Sequence, residues 1–241
     1  MTITERQQLI MRLIAEDENI SVRKLSESLF VSEPTVRRDL TELEKRGLLT
    51  KVYGGARLTR EGIAPDAEIP FLLRERERSP VKVEMGRRAA SLVRDGMVIM
   101  MDGSTSAYNV VPFLSDFKDL VVVTSGAKTA VALAERNIST YSTGGRMIIH
   151  SYSYVGEEAE EFARKINADI LFFSCRALSE KGLMTDVSVE EVNLRRVMLR
   201  SSRKKVLLCD SSKLGKTCFY TLGSVDELDE VISDVPLDFS K

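Results

Sequence analysis

The stretch Val31–Leu40, VSEPTVRRDL, decides how this chain reads. Ser32 stands directly before Glu33 and Pro34, which is how a helix begins. A serine hydroxyl can accept a first-turn amide, here that of Thr35, and a proline in that turn gives up no helical hydrogen bond. At about 100° per residue, Val36, Leu40 and Leu43 fall on one stripe, and that stripe faces a core. Arg38 lies almost opposite, together with Pro34, Thr41 and Lys45, while Arg37 and Thr35 flank it. Asp39 borders the apolar stripe and is expected to pair with a neighbouring helix rather than with an anion. Two adjacent arginines in the opening turns of a helix run against its macrodipole, so something outside the helix must want them there.

Upstream, Leu9, Ile10, Leu13 and Ile14 recur at helical spacing in TERQQLIMRLIAED. Ser21 opens a second helix, VRKLSESLF, with Val22, Leu25 and Leu29 facing inward. Three short helices and a tight turn match a helix-turn-helix, whose recognition element puts its N-terminal residues in the major groove. An arginine there binds guanine in bidentate fashion or clamps phosphate, and the helix dipole favours phosphate at that end. Downstream, LLTKVYGGARL alternates, turns at Gly54-Gly55 and returns, as a small ribbon or wing does. It places Lys51 and Arg57 within reach of backbone phosphates. A helical module for protein contacts with a solvated charge run is the alternative reading of the same sixty residues.

The 241 residues are 43 % hydrophobic and carry a net charge of −1, enough for one large domain or two small ones. Residues 1–60 hold eleven Lys/Arg against nine Asp/Glu, so the first quarter is +2 and the remainder −3. That is a weak sign of a polyanion partner. No stretch approaches the roughly eighteen apolar residues that cross a bilayer, and the amphipathic N-terminus does not resemble a signal peptide. No membrane is expected, and the chain reads as cytoplasmic. Cys175, Cys209 and Cys218 have neither pairing nor metal-ligand spacing, and His150 is the sole histidine. No metal, no cofactor and no histidine-based catalysis are expected, and the thiols read as reduced.

Residues 1–58 therefore read as a winged helix-turn-helix and residues 59–80, charged and proline-bearing, as a connector in which Phe71 and Leu72 can dock on a domain. In residues 81–241, helical patterns alternate with short apolar runs: MVIMM, LVVVTSG, ADILFFS, KKVLLCD and DEVISD. Near-continuous apolar strands between helices indicate a mostly parallel sheet covered on both faces, a doubly wound α/β domain whose ligands sit beyond the carboxyl ends of the strands. Polar small-residue loops fall at those ends. In DGSTS, Gly103 permits close backbone approach, and Ser104, Thr105 and the helix-start amides form an anion pocket. TSG (Thr124, Ser125, Gly126) and STGG (Ser142–Gly145) repeat the theme, and DSSKLGK brings Lys213 to a strand end. Together they suggest a phosphorylated ligand, although each loop alone is equally a tight corner. Gly215-Lys216-Thr217 imitates a P-loop, but Asp210 stands where its first glycine belongs, so nucleotide hydrolysis is rejected.

SEPTVRRDLTELEKRGLLTKVYGGA resembles the winged-helix signature of the DeoR family of transcription regulators. The shared positions are Ser32, Thr35 to Leu40, Leu43, Gly47 and Gly54-Gly55-Ala56. The family usually has Arg and His where this chain has Lys51 and Tyr53; lysine keeps the charge without the fork, and Tyr53 can still donate to phosphate. DGSTS, VVVTSG, GLMTDVSVEEVNLRRVM and DSSKLGK resemble the family's C-terminal domain. That resemblance implies a fold related to ribose-5-phosphate isomerase and a phosphorylated sugar as effector. It implies Asp102, Ser104, Thr105, Thr124, Ser125, Gly145 and Lys213 as ligand contacts, with Arg176 and Glu190 or Glu191 as further candidates. SCRALS (Ser174–Ser179) departs from the family's Gly-rich loop, so Arg176 either adds phosphate affinity or reshapes the pocket.

The expected function is a sequence-specific regulator, a repressor of a sugar-metabolism operon, modulated by a phosphorylated sugar and working on a double-stranded operator as a homodimer or homotetramer. One winged helix covers only one half-site. Two alternatives compete with it: a sugar-phosphate isomerase with a DNA-binding arm, and a regulator that answers a partner protein instead of a small ligand.

Overall fold

In a computed structural model, residues 3–16, 20–45, 48–58, 70–77, 79–237 and 239 are described. The chain divides into two compact units, Met1–Arg76 and Glu77–Lys241.

The first unit runs α1 (Ile3–Glu16), β1 (Ile20–Ser21), α2 (Val22–Leu29), α3 (Glu33–Lys45), β2 (Leu49–Val52), β3 (Gly55–Leu58) and α4 (Phe71–Arg76). Ile10, Ile14, Leu25, Val36, Leu40 and Leu43 meet in one apolar cluster, each at most 1 % exposed. Ser21 caps α2, its hydroxyl accepting the Lys24 amide at 3.1 Å. The buried side of α3 is Val36, Asp39, Leu40 and Leu43, the stripe its periodicity marks.

The wing differs from its sequence reading in one respect. β2 and β3 pair antiparallel with Val52 opposite Gly55, so the turn is Tyr53-Gly54 and not Gly54-Gly55. Gly54 supplies the positive φ, +76°. Gly55 is already a strand residue and is small for another reason: β1 pairs with the other edge of β3, and a Cβ on Gly55 would lie 2.4 Å from the Ile20 carbonyl oxygen. In the stretch read as a connector, α4 packs against α1 with Phe71 only 1 % exposed; positions 59–69 lie outside the described residues.

The second unit runs α5 (Ser79–Ala90), β4 (Val98–Met101), α6 (Thr105–Tyr108), β5 (Val121–Thr124), α7 (Ala127–Ala134), β6 (Ser139–Ser142), β7 (Arg146–Ile148), β8 (Ser153–Val155), α8 (Glu157–Arg164), β9 (Ala168–Phe173), β10 (Ala177–Leu178), β11 (Leu183–Asp186), α9 (Val189–Arg200), β12 (Ser202–Leu208), β13 (Tyr220–Ser224) and β14 (Glu230–Ile232). Six strands form a parallel sheet in the order β14-β12-β9-β4-β5-β6. Successive side chains of a strand point to opposite faces. Ile99 and Met101 pack with α5 and α7 residues in one cluster, whereas Met100 packs with Ala159 of α8 and Met198 of α9 in another. Both faces are therefore buried at the centre of the sheet, which is why β4 is apolar at every position and β9 nearly so, whereas the edge strand β6 is Ser-Thr-Tyr-Ser and largely exposed. β7 and β8 form a separate hairpin, and β10, β11 and β13 form a small antiparallel sheet. The protein is thus an N-terminal helix-turn-helix domain followed by a parallel-sheet α/β domain. Among the described residues, no helix is long and apolar enough to cross a membrane.

Candidate functional site

On α3 the exposed side carries Pro34, Arg37, Arg38 and Lys45, with Thr35 and Thr41 half-buried. Among the described residues the Arg38 side chain makes no hydrogen bond or ion pair, whereas that of Arg37 donates to Glu33 one turn back at 3.2 Å. Glu33 thus offsets at the helix start the charge that the arginines bring there. Ser32 begins the helix differently from expectation. Its carbonyl accepts the Val36 amide at 3.1 Å, but its hydroxyl lies 3.0 Å from the Thr35 hydroxyl rather than on the Thr35 amide. The two hydroxyls satisfy one another at the exposed end. Asp39 pairs with Arg6 of α1, one of its two contacts measuring 3.0 Å, as its place beside the core requires.

The wing cations are less free than the sequence suggests. Lys51 Nζ lies 2.9 Å from Glu44 and donates to Thr41 Oγ1 at 3.2 Å, and the Lys51 amide donates to Glu44 at 2.9 Å. These bonds fasten the ribbon to α3, and the amide bond first, then the ammonium, lowers the Glu44 pKa. Thr41 also donates to the Arg37 carbonyl at 2.8 Å, so its hydroxyl is occupied on both sides. Tyr53 stands fully exposed at the ribbon tip, and the side chain of Arg57, on β3, lies outside the described residues.

In the second unit, the loops after β4, β5, β9 and β12 gather at the carboxyl edge of the sheet. Asp102 is fully buried, and its oxygens accept the Ser104 amide at 3.1 Å, the Ser174 amide at 3.2 Å and Arg195 Nε at 2.8 Å. Arg195 also donates to Asp186 at 2.6 Å and to Glu191 at 3.2 Å. Burial alone would lower the Arg195 pKa, but the three carboxylates outweigh it and hold the guanidinium charged. Arg195 and Asp186 were not among the residues picked out from sequence. Of the two adjacent glutamates, Glu191 joins this cluster, while Glu190 is half-buried and pairs with Arg146.

Ser104 caps α6 by accepting the Ala107 amide at 3.1 Å, so two amides of this corner are already bonded internally. Thr105 is buried beside it. Gly103 is small because β8 approaches it: a Cβ there would lie 2.0 Å from Ser153 Oγ. The hairpin strand bonds along the next loop, Tyr154 N–H to the Ser125 carbonyl at 2.7 Å and Ala127 N–H to the Tyr152 carbonyl at 2.8 Å. Thr124 Oγ1 accepts the Gly126 amide at 3.0 Å. Gly145, at φ +92°, lets the chain pass the Val155 carbonyl, which a Cβ would approach to 2.5 Å. Ser106, Thr129 and Ser151 carry buried hydroxyls without a protein partner among the described residues.

Lys213 donates to Ser174 Oγ at 2.6 Å and lies 4.0 Å from Asp210. Burial pushes the Asp210 pKa up, yet Lys213, the Ser212 hydrogen bonds and Lys82 together hold it below the usual carboxylate value. Lys82, a buried lysine of α5, is a further charge that sequence reasoning missed; its KVEM setting gives no local sign of it. Arg176 is half-buried on the loop after β9, its amide bonded to Thr185 at 3.1 Å. Asp102, Ser174, Asp210 and Lys213 thus form one chain of contacts, which brings loops 102–106, 174–176 and 210–213 together. No group of three or more metal-ligating side chains exists among the described residues.

Comparison with known proteins fits this arrangement. Residues 6–61 match the DeoR-like helix-turn-helix domain, and residues 77–235 match the DeoR C terminal sensor domain. The chain is 33 % identical, over 99 % of its length and 91 % of the relative's, to the uncharacterized HTH-type transcriptional regulator YulB of Bacillus subtilis (strain 168). It is 28 % identical, over 95 % of its length and 94 % of the relative's, to the L-fucose operon activator of Escherichia coli (strain K12). A ribose 5-phosphate isomerase A from Methanocaldococcus jannaschii aligns at TM-score 0.44 and 15 % identity, over 57 % of this chain and 55 % of that one. That likeness is distant and concerns fold alone. The two domain matches, in this order and over most of the length, place the chain among transcription regulators rather than isomerases: it belongs to the DeoR family of DNA-binding transcription regulators.

Proposed function

We propose that the chain represses a sugar-metabolism operon and is released from its operator when a phosphorylated sugar binds at the carboxyl edge of the parallel sheet. One observation carries this reading. Lys213, the Ser174 hydroxyl and the carboxylates of Asp102 and Asp210 converge at a single sheet edge, beside the hydroxyl-rich corners at Ser104-Thr105 and Thr124-Ser125. An ammonium and hydroxyl donors suit a phosphate, and carboxylates suit the hydroxyls of a sugar. Asp102, Ser104, Thr105, Thr124, Ser125 and Lys213 are the ligand groups of this proposal, with Arg176 at its margin; Glu190 and Gly145 act in it only through the backbone and surface around them. On DNA, the proposed base-reading group is Arg38 at the start of α3, with Arg37, Tyr53 and Lys45 as phosphate contacts.

One helix-turn-helix spans one half-site, so the proposed working form is a dimer on two half-sites. The L-fucose relative is named an activator, and the sign of regulation is therefore part of the test. Gel shift of a duplex selected by the full-length chain is repeated across a panel of pentose and hexose phosphates. Release by one of them supports repression relieved by ligand; tightening would reverse the sign. No effect from any member, together with no thermal stabilisation, would contradict the effector proposal.

A further inference from the structure

Phe30, in the turn between α2 and α3, is 95 % exposed and sits at φ +54°. Both properties are unfavourable. An exposed ring gains nothing from folding, and a side chain with a Cβ is strained in the left-handed region, which the end of a helix usually fills with glycine. The turn does not need the ring. The Phe30 amide bonds to the Ser26 carbonyl, the Val31 amide bonds to the same carbonyl at 3.2 Å, and Ser26 Oγ donates to the Val31 carbonyl at 2.5 Å. Backbone and serine therefore set the turn, and the phenyl group is left over.

Its position says what could use it. Phe30 is two residues before Ser32, the residue that leads into α3, so its Cα is at most about 7 Å from that of Ser32. That end of α3, with Pro34, Arg37 and Arg38 exposed, is the one a helix-turn-helix directs into the major groove. An apolar side chain reads the major groove through the C5-methyl group of thymine. We propose that Phe30 is a base-reading residue, its ring packed on a thymine methyl at the edge of the patch that Arg37 and Arg38 begin. The proposal rests on α3 being the DNA-reading helix. It accounts for both anomalies: the ring leaves water only in the complex, and the strained backbone aims it outward.

The test uses the full-length chain and a duplex selected from a random pool by the wild-type protein, made once with thymine and once with deoxyuridine, which lacks the methyl group. Phe30→Gly is expected to weaken binding to the thymine duplex about tenfold, equivalent to about 1.4 kcal/mol. The salt dependence should not change, because no phosphate contact is lost, and neither melting temperature nor self-association should fall. Removing the methyl groups should weaken the wild-type protein by more than it weakens Phe30→Gly. Unchanged affinity, an equal deoxyuridine effect in both proteins, or a loss that tracks lower stability or dissociation into monomers would each overturn the proposal. Arg38→Ala run in parallel separates the two levels: if it binds normally as well, the assignment of α3 fails, and if it alone is weakened, only the role of Phe30 fails.

Discussion

Arg38 and Arg195 carry the same guanidinium and serve opposite ends. Arg38 projects from α3 with no partner among the described residues, whereas Arg195 is buried against Asp102, Asp186 and Glu191. Arg38→Ala should weaken binding to a selected duplex by roughly 1–3 kcal/mol if it reads a guanine, whereas Arg37→Ala should weaken all sequences about equally and flatten the salt dependence; fluorescence titration at several salt concentrations checks both. Arg195→Met leaves three carboxylates buried without their cation and should cost about 3–5 kcal/mol in urea unfolding of the second unit. Asp210 supplies a pH dependence. Its pKa is lower folded than unfolded, so its contribution is complete above the unfolded value of about 3.9 and is lost as pH falls through the lower folded value. Asp210→Asn should accordingly reduce the steepness of acid unfolding below about pH 4. The two arginines were unequally legible. Helical angle alone separates Arg38 from Val36, Leu40 and Leu43, but nothing local in LRRVM tells that Arg195 meets an aspartate 93 residues away.

At the scale of elements, short-range pattern was readable and close approach between distant strands was not. The capping serine of α2 and the buried stripe of α3 follow from spacing within one helix. The Gly54-Gly55 pair looks like a turn because two adjacent glycines usually are one, yet β1 pairs with β3 and assigns Gly55 to a strand. The two glycines should therefore respond differently to alanine. Gly54→Ala has open space and only its positive φ to pay for, about 1 kcal/mol. Gly55→Ala pushes a methyl group into the Ile20 carbonyl and should cost more, about 1–3 kcal/mol, seen as an earlier unfolding transition of the first unit. The β7–β8 hairpin was likewise invisible in sequence. Its strands are three residues each, and what marks them is the fit of Ser153 against Gly103.

For the molecule as a whole, the order of the two domains was legible because each has its own period: amphipathic helices first, then apolar strands between helices. The chemistry of the sheet edge was legible as a set of loops and not as a network. Ser, Thr, Gly and Lys announce themselves after strands, while Asp186, Lys82 and Arg195 become visible only when folding brings them in. The central claim is that this edge senses a phosphorylated sugar and changes DNA affinity, a coupling expected to be worth about 1–3 kcal/mol. Lys213 is half-buried, and its side chain meets one hydroxyl and one carboxylate of the second unit, so its removal should leave the DNA-binding unit in place. The most direct measurement is the affinity of wild-type and Lys213→Ala proteins for one selected duplex, with and without each member of a sugar-phosphate panel. The account predicts that one phosphorylated sugar shifts the wild-type dissociation constant about tenfold or more, and that Lys213→Ala binds the duplex normally but no longer responds. A variant that responds as the wild type does, or a wild type indifferent to every sugar phosphate, would contradict it.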